Sequence, residues 1–296
     1  MKQKALLMVN PKSGKQAAKL GFYSIVSNLS LKYEVTVHIT RSGKDIVQTA
    51  RECSFPTLIV CGGDGTLSHA VEGLLQNPAR EEIKLGYIPC GTANDVASTL
   101  DIPKSLAAGA LYVCRNTPKK QDVGEIGGRP FVYTASFGTF TKASYETPQD
   151  AKNLLGGLAY LLNGASELLD VKGYDLTIEW DEGVLQKSDV TFCGVSNTHY
   201  LGGGLVRYPP EFAELDDGKL ELLTVARPKN LFDLENIVRS IALREFNNEF
   251  VSLIQSSRFS LRARTPLAWT IDGENGGEMQ KAEIVCLPGA ISLIRK

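Results

Sequence analysis

Residues 57–66 constrain this chain more than any other stretch. Thr57-Leu58-Ile59-Val60-Cys61 is an apolar run suited to a strand buried on both faces, and it passes directly into Gly62-Gly63-Asp64-Gly65-Thr66 and a helical pattern. Glycines at such a junction let successive backbone N–H groups face outward with no Cβ in the way, while the helix that follows presents its positive end. The segment reads as an anion cradle; the competing reading is a turn that uses glycine only for positive φ. A carboxylate inside an anion cradle is repulsive on its own, so Asp64 makes chemical sense with Mg²⁺ bridging it to phosphate.

The neighbouring segments repeat that texture. Residues 5–9, 34–39, 57–61 and 84–88 read as short strands, and 44–52, 67–75 and 94–100 as helices between and after them. Strand–helix alternation predicts a parallel sheet covered by helices on both faces, with ligands at the carboxyl ends of the strands. Two further loops lie at such ends. Asn10-Pro11-Lys12-Ser13-Gly14-Lys15 is small, polar and cationic; Cys90-Gly91-Thr92-Ala93-Asn94-Asp95 repeats the order glycine, hydroxyl, helix, with Thr92 or Asn94 able to act as an N-cap. Three such loops at successive strand ends would share one rim.

After residue 123 the pattern changes to longer alternating runs at 175–180, 188–195, 219–226, 259–263 and 267–271, which predict a β-rich, mainly antiparallel second domain. Helices are expected at 151–169, whose leucine face suits core packing or a lipid site, and at 231–244. The domains expected are therefore 1–123 and 124–284, the tail 285–296 packing back onto the first. Asp272-Gly273-Glu274 is either a hairpin turn or the location of a general base, and Asp216-Asp217-Gly218 either an acidic turn or an oxygen-ligand cation site.

Known phosphate motifs fail. A Walker A loop needs G-x-x-x-x-G-K followed by Ser or Thr, which Gly14-Lys15-Gln16, Gly43-Lys44-Asp45 and Gly218-Lys219-Leu220 do not supply, and residues 63–68 lack the last glycine of the dinucleotide fingerprint. His38, His69 and His199 show no triad or zinc spacing, and the six cysteines form no C-x-x-C pair, so reduced thiols of a cytoplasmic protein are expected. With 296 residues, 43% hydrophobic and 22% charged, the chain is an ordinary folded protein long enough for two domains. A net charge of −1 argues against nucleic acid as partner. The apolar run after Lys4 is too short for a signal peptide and no stretch is long enough to cross a bilayer, which leads us to expect a soluble protein.

Taken together, Gly62-Gly63-Asp64-Gly65-Thr66, Asn10-Pro11-Lys12-Ser13-Gly14 and Gly91-Thr92-Ala93-Asn94-Asp95 resemble the diacylglycerol kinase catalytic domain, shared with sphingosine and ceramide kinases. The first motif also occurs in NAD kinases and phosphofructokinases. Tyr145-Glu146-Thr147-Pro148, Gly157-Leu158-Ala159-Tyr160-Leu161-Leu162, Asp216-Asp217-Gly218 and Asp272-Gly273-Glu274-Asn275-Gly276-Gly277 look like the soluble bacterial members, so the likeness runs over nearly the whole chain. Departures are Ser68-His69, where the family often has Asn-Glu, and Phe212, where it commonly has a small residue.

The resemblance implies an NAD kinase-like or phosphofructokinase-like nucleotide domain, a β-rich lipid domain and an active site in the cleft between them. It implies ATP contacts from Asn10, Pro11, Ser13, Gly14, Lys15, Thr40, Gly62, Gly63, Asp64, Gly65, Thr66 and Thr92. Asp64 would hold the catalytic Mg²⁺, Asp95 and Asp122 would link the metal site to the domain junction, and Glu274 would be the catalytic base. A second, structural Mg²⁺ would lie on Asp217 with main-chain oxygens of Glu214 and Lys219. The activity implied is transfer of the γ-phosphoryl of ATP to diacylglycerol, giving phosphatidic acid. Reversible peripheral membrane contact, with Arg258, Arg262 and Arg264 as candidates, is expected with it, and a homodimer is left open. The alternatives are another lipid acceptor, a soluble acceptor such as NAD, or a non-catalytic binding module.

Overall fold

The computed structural model describes residues 2–16, 21–91, 94–138, 171–202, 204, 206–212 and 214–296. It divides into two units, Met1–Val123 with Pro288–Lys296, and Gly124–Leu287. The helix expected at 151–169 and the motifs at 145–148 and 157–162 lie outside the described residues.

In the first unit β1 (Gln3–Val9), β2 (Tyr33–Ile39), β3 (Thr57–Gly62) and β4 (Lys84–Pro89) form a parallel sheet in the order β2-β1-β3-β4. Helices α1 (Phe22–Leu29), α2 (Gly43–Arg51) and α3 (Asp64–Leu75) connect them, followed by α4 (Asp95–Thr99) and α5 (Leu106–Arg115). Every residue of β3 is buried, as the apolar run requires of a strand covered on both faces. Leu7, Ile59 and Ile88 pack with Ile25 and Leu29 of α1 and with Ala110 and Val113 of α5. Complete burial of each such aliphatic side chain contributes about 1.5–3 kcal/mol.

The strand order decides where a ligand can sit. From β1 the chain goes to β2 on one side, then crosses to β3 and β4 on the other, so the direction reverses between β1 and β3. Loops leaving the carboxyl ends of two strands at such a reversal diverge and leave a crevice. Those loops are Asn10–Lys15 and Gly62–Thr66, the two read first from the sequence.

The chain passes into the second unit within β5 (Thr117–Ile126) and returns within its last strand. There β6 (Arg129–Phe131), β7 (Thr134–Gly138), β8 (Tyr174–Trp180), β9 (Gly183–Ser196), β10 (Tyr200–Leu201), β11 (Val206–Arg207), β12 (Leu220–Ala226), β13 (Val251–Ser256), β14 (Arg258–Ile271) and β15 (Glu274–Arg295) accompany one described helix, α6 (Leu231–Leu243). The main path β13-β12-β9-β7-β14-β15 is antiparallel. Strands β9 and β14 each change partner along their length, pairing β8 with one end and β7 with the other. Their inner faces enclose a core in which Phe137 meets Trp269 edge to face at 5.0 Å beside Phe131, Ile178, Phe259 and Ile284.

Two runs read as separate strands, 259–263 and 267–271, are one strand. The ladder to β15 breaks between Arg262 and Leu267, around Pro266, which has no N–H to donate. The tail pairs Ser292 and Leu293 parallel to Lys84 and Leu85 of β4, within the first unit.

Candidate active site

The three loops of the first unit are joined by specific hydrogen bonds. The Asn10 N–H donates to the Cys61 carbonyl at 2.9 Å, and its side-chain amide donates to Thr66 Oγ1 at 2.9 Å, so the end of β1 is fastened to the first turn of α3. Asn10 Oδ1 accepts the Lys12 N–H at 3.0 Å, folding the loop into an Asx turn that leads through Pro11 to the 3₁₀ turn Ser13–Gln16, which contains Lys15. Gly14 within it has φ +55. Thr40, at the end of β2, is buried and donates from both N and Oγ1 to the Val9 carbonyl.

Glycine is required where the β3 and β4 turns meet. A Cβ built on Gly91 would stand 2.6 Å from Gly63 Cα, and one built on Gly62 would stand 2.4 Å from Thr66 Cβ. The two turns touch through bare main chain, held by the Cys90 N–H on the Gly62 carbonyl at 2.8 Å. Asp64 and Gly65 open α3, whose N-cap Gly63 is extended and offers no side-chain acceptor; its carbonyl accepts the Thr66 N–H at 2.9 Å.

The Asp64 carboxylate reaches across to the next turn. Its Oδ2 accepts the Asp95 N–H at 2.9 Å, and its Oδ1 accepts the Val96 N–H and the Tyr87 hydroxyl, each at 3.3 Å. It therefore caps α4 from a distance. Asn94, one of two N-caps suggested by sequence, does something else: at φ +56 it closes the turn on itself, Oδ1 accepting the Gly91 N–H and Nδ2 donating to the Gly91 carbonyl, both at 2.8 Å. Burial, and next the Asp64 charge, push the Tyr87 phenol well above its ordinary pKa, so it remains a hydroxyl donor. Thr92 lies outside the described residues.

Asp122, buried in β5, accepts the Gly289 N–H on Oδ1 at 2.6 Å, in the tail returning to this unit. In the second unit, Ile271 and Glu274 face each other across Asp272 (φ +44) and Gly273 (φ +85), a two-residue hairpin with both central residues left-handed. Asp-Gly is the chemistry that turn demands, so the turn reading of these residues holds and fixes where Glu274 sits. Glu274 is about half exposed and faces Arg129, whose Nη2 lies 3.8 Å from its Oε2.

The model of the "Diacylglycerol kinase catalytic domain" matches residues 4–126, and that of the "YegS C-terminal NAD kinase beta sandwich-like domain" matches 135–295. Proteins named diacylglycerol kinase from Staphylococcus aureus strains bovine RF122 / ET3-1 and Newman are 32% identical over 286 residues, spanning 94% of this chain and 88% of theirs. The chain belongs to the diacylglycerol kinase family. It is a phosphotransferase of the lipid-kinase type. A crystal structure of a diacylglycerol kinase from Bacillus anthracis str. Sterne has the same fold, with TM-score 0.77 at 22% identity over 99% of this chain and 97% of that one. A second structure from that organism gives 0.82 at 24%, over 99% and 95%.

Kinases of this family imply a divalent ion; Asp64 is the carboxylate placed among the glycine turns to hold one, and it would share its oxygens with the Asp95 and Val96 N–H groups and the Tyr87 hydroxyl. Mg²⁺ keeps several waters and needs only one or two carboxylates beside the substrate phosphates, so the lack of a cluster of three His, Cys, Asp or Glu side chains among the described residues does not count against it. At the second site the carboxylate is likewise engaged. Asp217 Oδ1 accepts the Lys219 N–H at 2.9 Å and Oδ2 accepts Gln255 Nε2 at 3.0 Å, so protein groups already close that turn, with Glu214 exposed before it.

Sequence reading missed Tyr87 and Arg129. Tyr87 carried one signal: a phenol in an otherwise apolar buried strand needs a partner.

Proposed function

We propose that this lipid kinase transfers the γ-phosphoryl group of ATP to the primary hydroxyl of diacylglycerol, yielding phosphatidic acid. The observation that carries the nucleotide half of this reading is the close approach of Gly63 and Gly91 main chain beside the start of α3, where no Cβ stands between the two turns. Asn10, Pro11, Ser13, Gly14, Lys15, Thr40 and Thr92 would surround the rest of the nucleotide, with Gly62, Gly63, Asp64, Gly65 and Thr66 under its phosphates.

Phosphoryl transfer depends on in-line positioning and charge neutralisation rather than covalent help from the protein. In this reading Glu274 accepts the hydroxyl proton of the lipid as its oxygen bonds to the γ-phosphorus and the bond from that phosphorus to the β–γ bridging oxygen breaks, releasing ADP, and the loop amides receive the charge on the equatorial oxygens. Asp64 would hold Mg²⁺, which would supply charge neutralisation at the phosphates. Asp95 and Asp122 act on the shape of the site: the first lends its N–H to Asp64, the second anchors the returning tail. A second ion at Asp217 would have to share that carboxylate with Lys219 and Gln255.

No described helix is long and apolar enough to cross a membrane. A cytoplasmic enzyme that meets its bilayer substrate by reversible peripheral contact accords with the exposed Arg258, Arg262 and Arg264 along β14. The test is incubation with labelled ATP, Mg²⁺ and mixed micelles of diacylglycerol, ceramide, undecaprenol or phosphatidylglycerol, with NAD in a lipid-free control. Label in phosphatidic acid from diacylglycerol alone is expected; label in another acceptor would replace the substrate named.

A further inference from the structure

Two tight hairpins of the second unit bring together residues that the sequence separates widely. In one, Ile126 faces Arg129 across Gly127 (φ +56) and Gly128 (φ +82); in the other, Ile271 faces Glu274 across Asp272 and Gly273. Each turn has both central residues at positive φ, which fixes the direction of the residue that follows it. Those following residues are Arg129 and Glu274.

The second turn is then locked onto the strand leaving the first. The Asp272 carboxylate accepts three main-chain N–H groups, from Val132 at 2.8 Å and from Tyr133 and Thr134 at 2.9 Å, while its own N–H donates to the Thr134 carbonyl at 2.8 Å. Charge-assisted bonds of this kind are short and strong, and here they are buried. Within that frame Arg129 Nη1 donates to the Asn275 carbonyl at 2.8 Å, which leaves Nη2 facing Glu274 Oε2 at 3.8 Å. A planar guanidinium pinned to main chain by one nitrogen presents the other in a fixed direction, which an ammonium on a flexible stem cannot do.

We propose that Arg129 is a positioning residue for Glu274: it holds the carboxylate in one orientation, with the Asp272 clasp holding the two hairpins together. The proposal rests on the reading of Glu274 as the proton acceptor. Both side chains are about half exposed, so their ion pair adds little to stability and the role shows in turnover instead. Glutamine at 129 retains a donor for the Asn275 carbonyl but loses the charge and the fork.

The full-length enzyme is assayed with ATP, Mg²⁺ and diacylglycerol micelles as wild type, Arg129→Gln, Arg129→Lys, Glu274→Gln and the Arg129→Gln/Glu274→Gln double variant, with melting temperatures recorded for each. Arg129→Gln should lower kcat on the order of 10-fold with the KM for ATP and the melting temperature unchanged. Lysine should recover part of the loss, and the double variant should be no slower than Glu274→Gln alone. Wild-type kcat in Arg129→Gln, a loss that tracks a lowered melting temperature, or full multiplication of the two losses would overturn the positioning role. Wild-type activity in Glu274→Gln would instead remove the base, a separate failure that this series distinguishes.

Discussion

The Asp64 carboxylate accepts the main-chain N–H of Asp95 at 2.9 Å, and through that bond the turn after β3 caps the helix that follows β4. One side chain thereby serves two loops: it stands in the glycine cradle and orders the neighbouring turn. Phosphate or metal arriving at Asp64 would act on both loops together.

Replacing Asp64 with asparagine keeps one acceptor but turns an amide donor toward the Asp95 or Val96 N–H. We expect kcat/KM for ATP to fall by about 10² or more, because Mg²⁺ would lose the carboxylate that holds it beside the phosphates. Thermal stability should drop by about 1–3 kcal/mol, the cost of an amide facing a donor. Activity titrated with Mg²⁺ alongside chemical denaturation checks both; an asparagine variant with unchanged Mg²⁺ dependence would contradict the metal role.

Asn10 and Thr66 offer a separate test of loop geometry. Their bond at 2.9 Å joins β1 to α3 across 56 residues. A neutral hydrogen bond contributes about 0.5–1.5 kcal/mol, so Asn10→Ala and Thr66→Val should each raise the KM for ATP about 2- to 10-fold. Made together they should cost no more than the larger single change, as residues sharing one bond do. Additive losses would mean the two act independently.

The fold was legible where the signal is local. The buried run 57–61, its glycines and the alternation of strands and helices follow from hydrophobic periodicity and turn chemistry within a few residues, and they locate the loops correctly. What escaped depends on partners far away in sequence. Asn94 looks like the cap of α4 because it precedes the helix, yet the capping carboxylate comes from Asp64, 31 residues before the Asp95 N–H it accepts. Likewise Asp272 is a turn residue by its neighbours, and only the folded chain reveals that it gathers three amides 138 to 140 residues away. Proline 266 marked the break in β14, but periodicity could not tell an interrupted strand from two strands.

Buried phenols set an alkaline limit on stability. Burial, and then the nearby Cys114 thiol, push Tyr33 up to about 12; burial raises Tyr87 and Tyr208 as well. Because the folded state holds these protons more tightly, the stabilisation is present below the unfolded pKa of about 10 and is lost as pH rises toward the folded values. The buried Cys53 and Cys193 thiols, also raised by burial, add to this from lower pH, so the melting temperature should begin to fall near pH 9 and fall further between about 10 and 12. Circular dichroism across that range checks it; a flat profile to pH 12 would contradict the assignment.

The most direct measurement is calorimetric titration of MgATP into wild-type protein and into Gly63→Val, whose side chain would fill the contact where a Cβ alone would stand 3.1 Å from Gly91 Cα. The account predicts saturable binding to wild type and, in a variant with native circular dichroism, affinity reduced by about 10² or more as the phosphates lose their main-chain seat. Undiminished MgATP affinity in folded Gly63→Val would place the triphosphate somewhere other than the glycine turns.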